Sequence, residues 1–396
     1  MIKKNILFVI ESLTAAGAER SLITFLSVLD KSKYEVDLQL FSYGGEFERY
    51  LPKEVNLLSP LQYTLFANKS ILNQFLSFNL CCIIARWKYS WALRRRCLCH
   101  KDRARLFWEN VSDLIPQSKK EYDIAVAYAQ DLPTLYVVDK VVAHKKMAWI
   151  NVKYVPEGVN YSFYKKFYSQ IDHIVMVSES AFQEFVGAYP CFNDKMVIIK
   201  DMLDSTFINQ LSIENQECKF CERTPVLLTV ARLNKPQKGY DIALETCRIL
   251  KERNVNFKWY ALGRGEYRKE MENYIAKENL ENVFEFLGTT PNPYPYIKNC
   301  TLYVQTSRHE GYGLSIAEAR ILNKPVVTTE FDAVWVQMVQ GENGLVVPQE
   351  PVAVADAIER LLNDKQLYDH IVSYQKQEKK GNTEEIEKFY QLIKEK

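Results

Sequence analysis

The stretch Arg308-His-Glu-Gly-Tyr-Gly-Leu-Ser-Ile-Ala-Glu318 follows an apolar run at residues 301–305 that predicts a buried β-strand. Two glycines predict a turn after this strand, and a helix is expected to begin near Gly313. Glycine lets the backbone approach a ligand closely, and the free N–H groups of a helix N-terminus favour an anion. Because Glu310 precedes the turn and Glu318 lies inside the helix, the stretch predicts a ligand site with two carboxylates. A surface helix that happens to carry two glutamates explains the same spacing.

Short apolar runs alternate with helical patterns on both sides of this stretch. Near-continuous apolar strands separated by helices are typical of parallel sheets covered on both faces, which predicts the α/β class. The predicted strands are residues 6–10, 36–41, 124–129, 147–152, 174–177, 197–199, 226–230, 257–262, 284–286, 301–305 and 325–329.

A break in this pattern predicts two domains. Residues 204–224 are polar and lack a strong period, which is typical of a domain boundary. Asn382, with Glu385 three residues later, predicts the N-cap of a final helix. The predicted bounds are 1–204 for the N-terminal domain, 225–381 for the C-terminal domain and 382–396 for the final helix.

The composition excludes several classes of protein. The 396 residues include 51 Lys plus Arg and 49 Asp plus Glu, and are 47% hydrophobic, so a disordered chain or a collagen-like repeat is excluded. The longest apolar runs have six residues, whereas a membrane-spanning helix needs about 20. The chain opens directly on a strand-like run without a signal-peptide pattern, so we expect a cytoplasmic protein whose nine cysteines are reduced.

Residues 61–114 interrupt the strand–helix alternation and predict a helical insertion. Leu72, Phe75, Leu76, Leu80, Ile83, Ile84, Trp87 and Trp91 form an apolar stripe at helical spacing. Residues 86–105 hold eight cations against Asp102 alone, so this segment carries +7 and the remainder of the chain −5. A basic, aromatic, amphipathic segment suits an anionic membrane surface, on which the protein would be peripheral. A core helix with a solvated basic end is the alternative, and no nucleic-acid recognition motif accompanies the patch.

Further glycine and cation patterns follow other predicted strands. Arg232 and Lys238 lie in Val230-Ala-Arg-Leu-Asn-Lys-Pro-Gln-Lys-Gly239, where they suit a diphosphate, although a solvated loop fits as well. Gly17 and Gly263 occupy strand–Gly–helix junctions that are weak signals by themselves. Neither a dinucleotide-binding glycine motif nor a P-loop motif occurs.

Metal-binding patterns are incomplete in this sequence. Cys218 and Cys221 form one pair, and Cys97, Cys99 and His100 form another cluster, but neither has a convincing second half of a zinc site. No two aspartates are separated by a single residue, so the Asp-x-Asp pattern that holds a metal–diphosphate is missing. We therefore expect no metal and no other cofactor.

Taken together and in this order, these segments resemble the retaining glycosyltransferases of family 4, which have the GT-B fold. The resemblance is strongest over 232–239 and 310–325 and extends through nearly the whole chain. It implies two Rossmann-like domains that face each other across a cleft, with the final helix returning to the first domain. It also implies metal-independent transfer of a hexosyl group from a nucleotide-sugar, expected to be UDP-linked, to a saccharide or polyprenyl-linked acceptor in capsule or other cell-surface polysaccharide synthesis.

The resemblance also implies roles for individual residues. Arg232 and Lys238 would neutralise the donor diphosphate, Glu310 would face the transferred sugar, and Glu318 would hold the ribose hydroxyls. The remaining expected contacts with the donor are Gly17 and Gly263, Leu287 at the base, and the backbone of Gly311, Tyr312, Gly313 and Leu314.

The sequence departs from the family pattern at three positions. Asn151 stands where similar members often have a histidine near the donor sugar, so a titratable group is lost while hydrogen-bonding capacity is kept. Ala16 replaces a common glycine, and Asn323 replaces another in a turn that asparagine tolerates. Two alternatives remain open: a catalytically weakened binding or scaffolding subunit with the same fold, and a non-hydrolysing epimerase, which would need no acceptor.

Overall fold

The computed structural model describes residues 3–14, 17–67, 69–70, 73–74, 79–95, 103–151, 160–214, 220 and 224–394, without the Arg95 side chain. The chain divides into two compact units, Met1–Met202 with Thr383–Lys396 and Leu203–Asn382. Each unit contains a parallel β-sheet with its own hydrophobic core, so the predicted α/β class is confirmed.

The first unit is built on a seven-stranded sheet in the order β3-β2-β1-β4-β5-β6-β7. The strands β1–β7 are Lys4–Ile10, Tyr34–Leu40, Val55–Leu57, Tyr122–Ala127, Ala143–Ile150, His173–Met176 and Met196–Ile198. The helices α1–α7 are Gly17–Val28, Gln62–Ala67, Leu80–Arg95, Arg103–Val111, Leu132–Lys140, Tyr161–Tyr168 and Glu179–Ala188. Strand β1 lies inside the sheet and pairs with β2 and β4, with Ile6 opposite Val36 and Ile124. Its residues from Ile6 onward are buried, because helices cover both faces of the sheet.

The second unit contains a six-stranded sheet in the order β10-β9-β8-β11-β12-β13. The strands β8–β13 are Val226–Val230, Lys258–Leu262, Phe284–Gly288, Leu302–Gln305, Val326–Thr329 and Gly344–Val347. The helices α8–α15 are Ser205–Ser212, Lys235–Lys238, Tyr240–Glu252, Arg268–Lys277, Tyr294–Asn299, Leu314–Ile321, Pro351–Asn363 and Lys365–Gln377. Strand order reverses between β8 and β11, and open α/β sheets bind ligands outside the carboxyl ends of the strands at such a point.

Every predicted strand has a counterpart in the sheets, although Val152 lies outside the described residues. Two strands were missed, β3 and β13, which have only three and four residues and form sheet edges. Short edge strands lack the long apolar run that identifies a buried strand. Within 61–114 the described residues form helices and no strand, whereas Leu72, Phe75 and Leu76 of the predicted stripe lie outside them.

The interpretation of 204–224 as a linker is wrong over its first half. Asp204 caps helix α8 by accepting hydrogen bonds from the backbone N–H groups of Thr206 and Phe207, at 2.8 and 3.3 Å. Ile208 and Leu211 are buried, which makes α8 part of the second unit. The helix could not be recognised from the sequence, because most of its residues are polar and only one narrow face is apolar.

The final helix, α16 (Ile386–Lys394), belongs to the first unit. Phe389 is buried, and its ring centroid lies 5.0 Å from that of Phe25 and 6.2 Å from that of Trp149. A short 3₁₀ turn at Thr383–Glu385 precedes the α-helix, so Asn382 is not its N-cap as predicted. Asn382 Oδ1 instead accepts a hydrogen bond from Leu203 N at 2.8 Å, a partner too distant in sequence to be predicted.

In the part of the chain that the structure describes, no helix is long and apolar enough to cross a lipid bilayer.

Replacing Phe389 with alanine should lower the free energy of unfolding of the first unit by about 3–5 kcal/mol, because the cavity would lie among buried rings. Urea unfolding followed by tryptophan fluorescence measures this change. Gln391→Ala, at an exposed position of the same helix, is the control and should change stability by less than about 0.5 kcal/mol. A loss below about 1 kcal/mol for Phe389→Ala would show that α16 does not stabilise the first unit.

Candidate functional site

The predicted site residues of the second unit gather at one edge of its sheet. They follow the carboxyl ends of neighbouring parallel strands, so their side chains are brought to the same edge although they are distant in sequence. These residues are Arg232 and Lys238 after β8, Gly263 after β9, Leu287 near the carboxyl end of β10, and Glu310 to Glu318 after β11. Gly17 and Asn151 lie in the first unit.

Lys238 and Glu310 form a buried ion pair. The Lys238 ammonium lies 2.6 Å from Glu310 Oε1 and 2.8 Å from Oε2. Only 13% of the lysine side chain and 9% of the glutamate side chain are exposed. The low dielectric of such an environment strengthens the attraction, and removal of either partner would leave the other charge buried and unpaired.

Gly239 allows this pair to form. Its φ of +60° lies in the left-handed region, and a Cβ at this position would lie 2.0 Å from the carbonyl oxygen of Thr306. Thr306 Oγ1 also donates a hydrogen bond to Lys238 O at 3.2 Å. Because the turn after β8 packs directly on the loop after β11, Lys238 is brought to Glu310.

Arg308 fastens the same two loops together from the outside. Its guanidinium binds Asp241 with two parallel hydrogen bonds, NH1 to Oδ1 at 2.8 Å and NH2 to Oδ2 at 2.7 Å. Burial tends to raise the pKa of Asp241, but the hydrogen bonds and charge of Arg308 outweigh burial and lower it. The carboxylate therefore remains ionised and the clamp stays formed at neutral pH.

The N-terminus of α13 supplies the uncharged part of the site. Gly313 is the N-cap with φ +83°, and it has no side chain to accept hydrogen bonds from the first turn, so these N–H groups can serve an anionic ligand. Gln337 fixes the preceding loop by donating its amide hydrogens to Tyr312 O and, at 3.2 Å, to Gly313 O. The loop geometry thus makes the backbone around Gly313 suitable for contact with phosphate and sugar.

Glu318, the second predicted carboxylate, is fully buried in α13. The hydroxyl of Tyr294 donates a hydrogen bond to its Oε1 at 3.1 Å. Buried carboxylates are uncommon in proteins and require such partners. Tyr294 was not identified from the sequence, because no motif marks the helix α12 that contains it.

Three further predicted residues lie at the carboxyl ends of β8, β9 and β10. Arg232 is exposed, with its guanidinium 3.4 Å from Gln237 Oε1. Gly263 permits close packing of two loops, since a Cβ there would lie 1.9 Å from the carbonyl oxygen of Ala231. Leu287 is half-buried in β10. Their contacts with a nucleotide remain predictions.

In the first unit, Asn151 directly follows β5 and Gly17 is the first residue of α1. Asn151 Nδ2 donates a hydrogen bond to Tyr128 O at 2.6 Å. Its Oδ1 is buried and accepts no hydrogen bond from the residues that the structure describes. Asn151 therefore offers an acceptor that none of the described residues uses. Ala16, the substitution beside Gly17, lies outside the described residues.

The predicted turn at Asn323 is confirmed. Its φ of +57° is in the left-handed region, which asparagine tolerates better than most residues. Lys380 Nζ donates to Asn323 Oδ1 at 2.6 Å and to the carbonyl oxygens of Arg320 and Ile321 at 3.0 and 2.8 Å. Lys380 therefore satisfies the C-terminal end of α13, and burial lowers its pKa to about 8.

Sequence reasoning missed the polar residues beneath Glu310. Gln305 and Ser307, which are both buried, donate hydrogen bonds to Glu310 Oε1 at 2.9 and 2.7 Å. Polar side chains at the carboxyl end of a buried strand were the available signal. That signal is weak, because such residues also satisfy backbone groups.

Among the described residues, no three His, Cys, Asp or Glu side chains come together as a metal site. Cys97, Cys99, His100, Cys218 and Cys221 lie outside the described residues. Metal-independent chemistry therefore stays a prediction.

Comparison with known proteins finds a family match within the second unit. Residues 213–378 match the sequence model of the family described as Glycosyl transferases group 1. An uncharacterised glycosyltransferase of Methanocaldococcus jannaschii is 28% identical over 42% of this chain and 42% of its own length. The capsular polysaccharide biosynthesis glycosyltransferase CapM of Staphylococcus aureus is 28% identical over 40% of this chain and 42% of its own. The alignments span about two fifths of the length of these curated relatives.

A solved structure extends the similarity to the whole fold. HepE of Anabaena, in complex with UDP and glucose, superposes with a TM-score of 0.65 at 19% identity, covering 94% of this chain and 93% of HepE. At this identity the likeness establishes the fold alone, and that fold is GT-B with two Rossmann-like domains. Residues 213–378 therefore match the group 1 glycosyl transferases, and the chain as a whole has the GT-B fold.

Proposed function

We propose that this protein is a retaining, metal-independent hexosyltransferase that uses a UDP-linked sugar and acts in cell-surface polysaccharide synthesis. The acceptor in this proposal is a saccharide or lipid-linked saccharide. The buried Lys238–Glu310 pair beside the N-terminus of α13 is the observation that carries the proposal. Two similar proteins support it: CapM is named for capsular polysaccharide, and HepE was solved with UDP and glucose.

The chemistry of the proposal follows from the charges at the sheet edge. Sugar transfer leaves a nucleoside diphosphate, and negative charge grows on its bridging oxygen in the transition state. Lys238, Arg232 and the N–H groups of α13 would stabilise that charge without a metal. Glu310 would face the positive charge that develops on the sugar ring. Glu318 would hold the ribose, and Leu287 would line the base pocket.

For the first unit, the proposal keeps the roles that the family resemblance implies, Asn151 near the donor sugar and Gly17 near the diphosphate. The Oδ1 of Asn151, which accepts no hydrogen bond from the described residues, suits one from a sugar hydroxyl. Asn151 cannot act as an acid or base at neutral pH. This loss is the argument for the alternative function, a weakened glycosyltransferase-like binding or scaffolding subunit.

A donor assay tests the proposal and separates it from this alternative. The full-length protein should be stabilised against heat by one nucleotide-sugar of a panel and should hydrolyse that donor slowly without acceptor, in EDTA as in buffer. Glu310→Ala and Lys238→Ala should each lower turnover by about 100-fold or more, because they remove charge stabilisation at the reacting groups.

Lys235→Ala is the matched control, since Lys235 lies in the same helical turn but is exposed. It should retain turnover. Unchanged turnover in both Glu310→Ala and Lys238→Ala would overturn the site. Donor binding without hydrolysis or transfer by the wild type would favour the scaffolding subunit.

The stereochemical outcome is a separate prediction. Transfer from an α-linked nucleotide-sugar should give an α-linked product, because the proposed site stabilises a diphosphate leaving group on the face from which the acceptor attacks. NMR of the newly formed linkage measures the anomeric configuration. A β-linked product would contradict the retaining mechanism.

We also propose that the acceptor is met at the cytoplasmic face of an anionic membrane, through helix α3. This helix has a row of exposed apolar side chains, Leu80, Ile84, Trp87 and Trp91, which are 68, 53, 71 and 56% exposed. Their spacing of four, three and four residues places them on one face of the helix. On the other side, Cys82 and Ala85 pack in the core of the first unit.

The charges around this row suit anionic lipid. Residues 80–95 contain no acidic residue, and Lys88 and Arg94 are exposed. Fewer charges of the +7 segment 86–105 are exposed than its composition suggests, because Arg105 is buried and paired with Glu109 at 2.7 Å. Arg96 and Lys101 lie outside the described residues. Each exposed cation near an anionic bilayer contributes about 1 kcal/mol, and tryptophan favours the interface.

Vesicle sedimentation tests this attachment. The protein should bind phosphatidylglycerol vesicles more strongly than phosphatidylcholine vesicles, and a Trp87→Ala/Trp91→Ala variant should lose about 10-fold or more in affinity. Neutralising Arg94, Arg95 and Arg96 should remove the preference for anionic lipid. Control variants are Ile213→Ser, for an exposed apolar residue elsewhere, and Lys165→Gln/Lys166→Gln, for exposed cations elsewhere. Unchanged binding in the α3 variants would refute the proposal.

A further inference from the structure

The Glu310 carboxylate is held by neutral donors as well as by its ion pair. Ser307 Oγ and Gln305 Nε2 both donate to Oε1, at 2.7 and 2.9 Å. Lys238 donates to both Oε1 and Oε2, whereas the two neutral donors contact Oε1. Gln305 is 2% exposed and Ser307 is fully buried, so water does not compete for these bonds.

Gln305 and Ser307 are themselves fixed by the sheet. The Tyr303 hydroxyl donates to Gln305 Oε1 at 2.9 Å, and burial raises the pKa of Tyr303, so this donor keeps its proton. Gln305 Nε2 is therefore turned toward Ser307 Oγ, 2.7 Å away, and toward Glu310. Thr329 of the neighbouring strand β12 donates to Ser307 O at 2.6 Å, which fixes the backbone.

Lys238 cannot serve two anions equally. A diphosphate beside the N-terminus of α13 would compete with Glu310 for the ammonium group, because both carry negative charge. If Lys238 shifted to the diphosphate, Glu310 would lose its opposite charge in a buried site, which is costly unless other donors hold the carboxylate. Ser307 and Gln305 remain on Oε1 after such a shift, and Oε2 is then left open to the sugar.

We propose that Gln305 and Ser307 are positioning residues that hold Glu310 through Oε1 while Lys238 turns from the carboxylate to the donor diphosphate. The proposal rests on the proposed function, since it uses the roles given there to Lys238 and Glu310. Neither residue touches the donor. Their loss should therefore affect the rate of the chemical step rather than binding of the nucleotide.

Kinetics of the full-length protein provide the first test. Ser307→Ala and Gln305→Leu should each lower kcat by about 10- to 100-fold, the range expected when a charged group loses one hydrogen bond. The KM for the donor should stay within about two-fold of the wild-type value, because neither substitution removes a contact with the bound donor. Ser307→Thr keeps the hydroxyl and should retain most of the rate.

The matched controls remove similar groups from the same unit without touching Glu310. Thr328→Val removes a buried hydroxyl of β12, and Gln375→Leu removes a buried amide that donates to Lys324 O and Asn343 O. Both controls should keep kcat even where they lower stability. Equal losses of kcat in the controls, or a rise in KM without a fall in kcat for Ser307→Ala, would overturn the proposal.

A second measurement needs no substrate and separates this proposal from the proposed function. Ser307→Ala should lower the thermal unfolding midpoint of the wild type, but should have little further effect in a Glu310→Ala background, because their interaction is then already lost. Thr328→Val should have the same effect in both backgrounds. If the effects of Ser307→Ala and Glu310→Ala on the unfolding midpoint are additive, Ser307 does not stabilise Glu310 and the proposal is refuted. This result does not depend on whether the wild type turns over a donor.

Discussion

The ion pair between Lys238 and Glu310 is the interaction on which the arrangement of the candidate site depends. Both side chains are almost entirely buried, so breaking the pair by removing one partner would cost about 3–5 kcal/mol. The free energy of forming such a pair is much smaller, because two charges lose their hydration. A buried pair at a strand end is therefore better explained by a role in ligand binding than by stability.

The surrounding backbone and side chains hold the two loops that carry this pair against each other. Gly239 lets the turn after β8 reach the carbonyl of Thr306, and the Arg308–Asp241 clamp holds the same turn from its outer side. Gln337 fixes the loop before α13. These contacts connect the turn after β8 with the loops after β11 and before α13, although the loops are distant in sequence.

The net charge of the chain, +2, conceals an uneven distribution that the structure refines. The basic segment that follows the stripe of apolar residues exposes fewer charges than its composition suggests, because Arg105 is buried and paired with Glu109. The exposed row from Leu80 to Trp91 is the more informative feature. The proposed membrane attachment rests on this row, because large apolar side chains exposed together along one helix face are unusual for a protein surface.

Local sequence determined the α/β class, the positions of the long buried strands and the placement of Arg232, Lys238, Glu310 and Glu318 near strand ends. It could do so because apolar runs and glycine turns act over a few residues. It failed for the edge strands and for α8, where the pattern is short or polar. The resemblance to a known family supplied the expected roles of these residues, which composition and spacing had left open.

Only the tertiary structure decided which of these residues meet. The pairing of Lys238 with Glu310 joins residues 72 positions apart, and the contact of Tyr294 with Glu318 joins residues 24 positions apart. Gln305 and Ser307 are only five and three residues from Glu310, but the folded backbone decides that their side chains meet it. Strand order sets the Lys238–Glu310 contact, because β8 and β11 are neighbours in the sheet although β9 and β10 separate them in sequence. A single sequence gives the residues of a parallel sheet, but the crossovers between its strands determine which loops lie side by side.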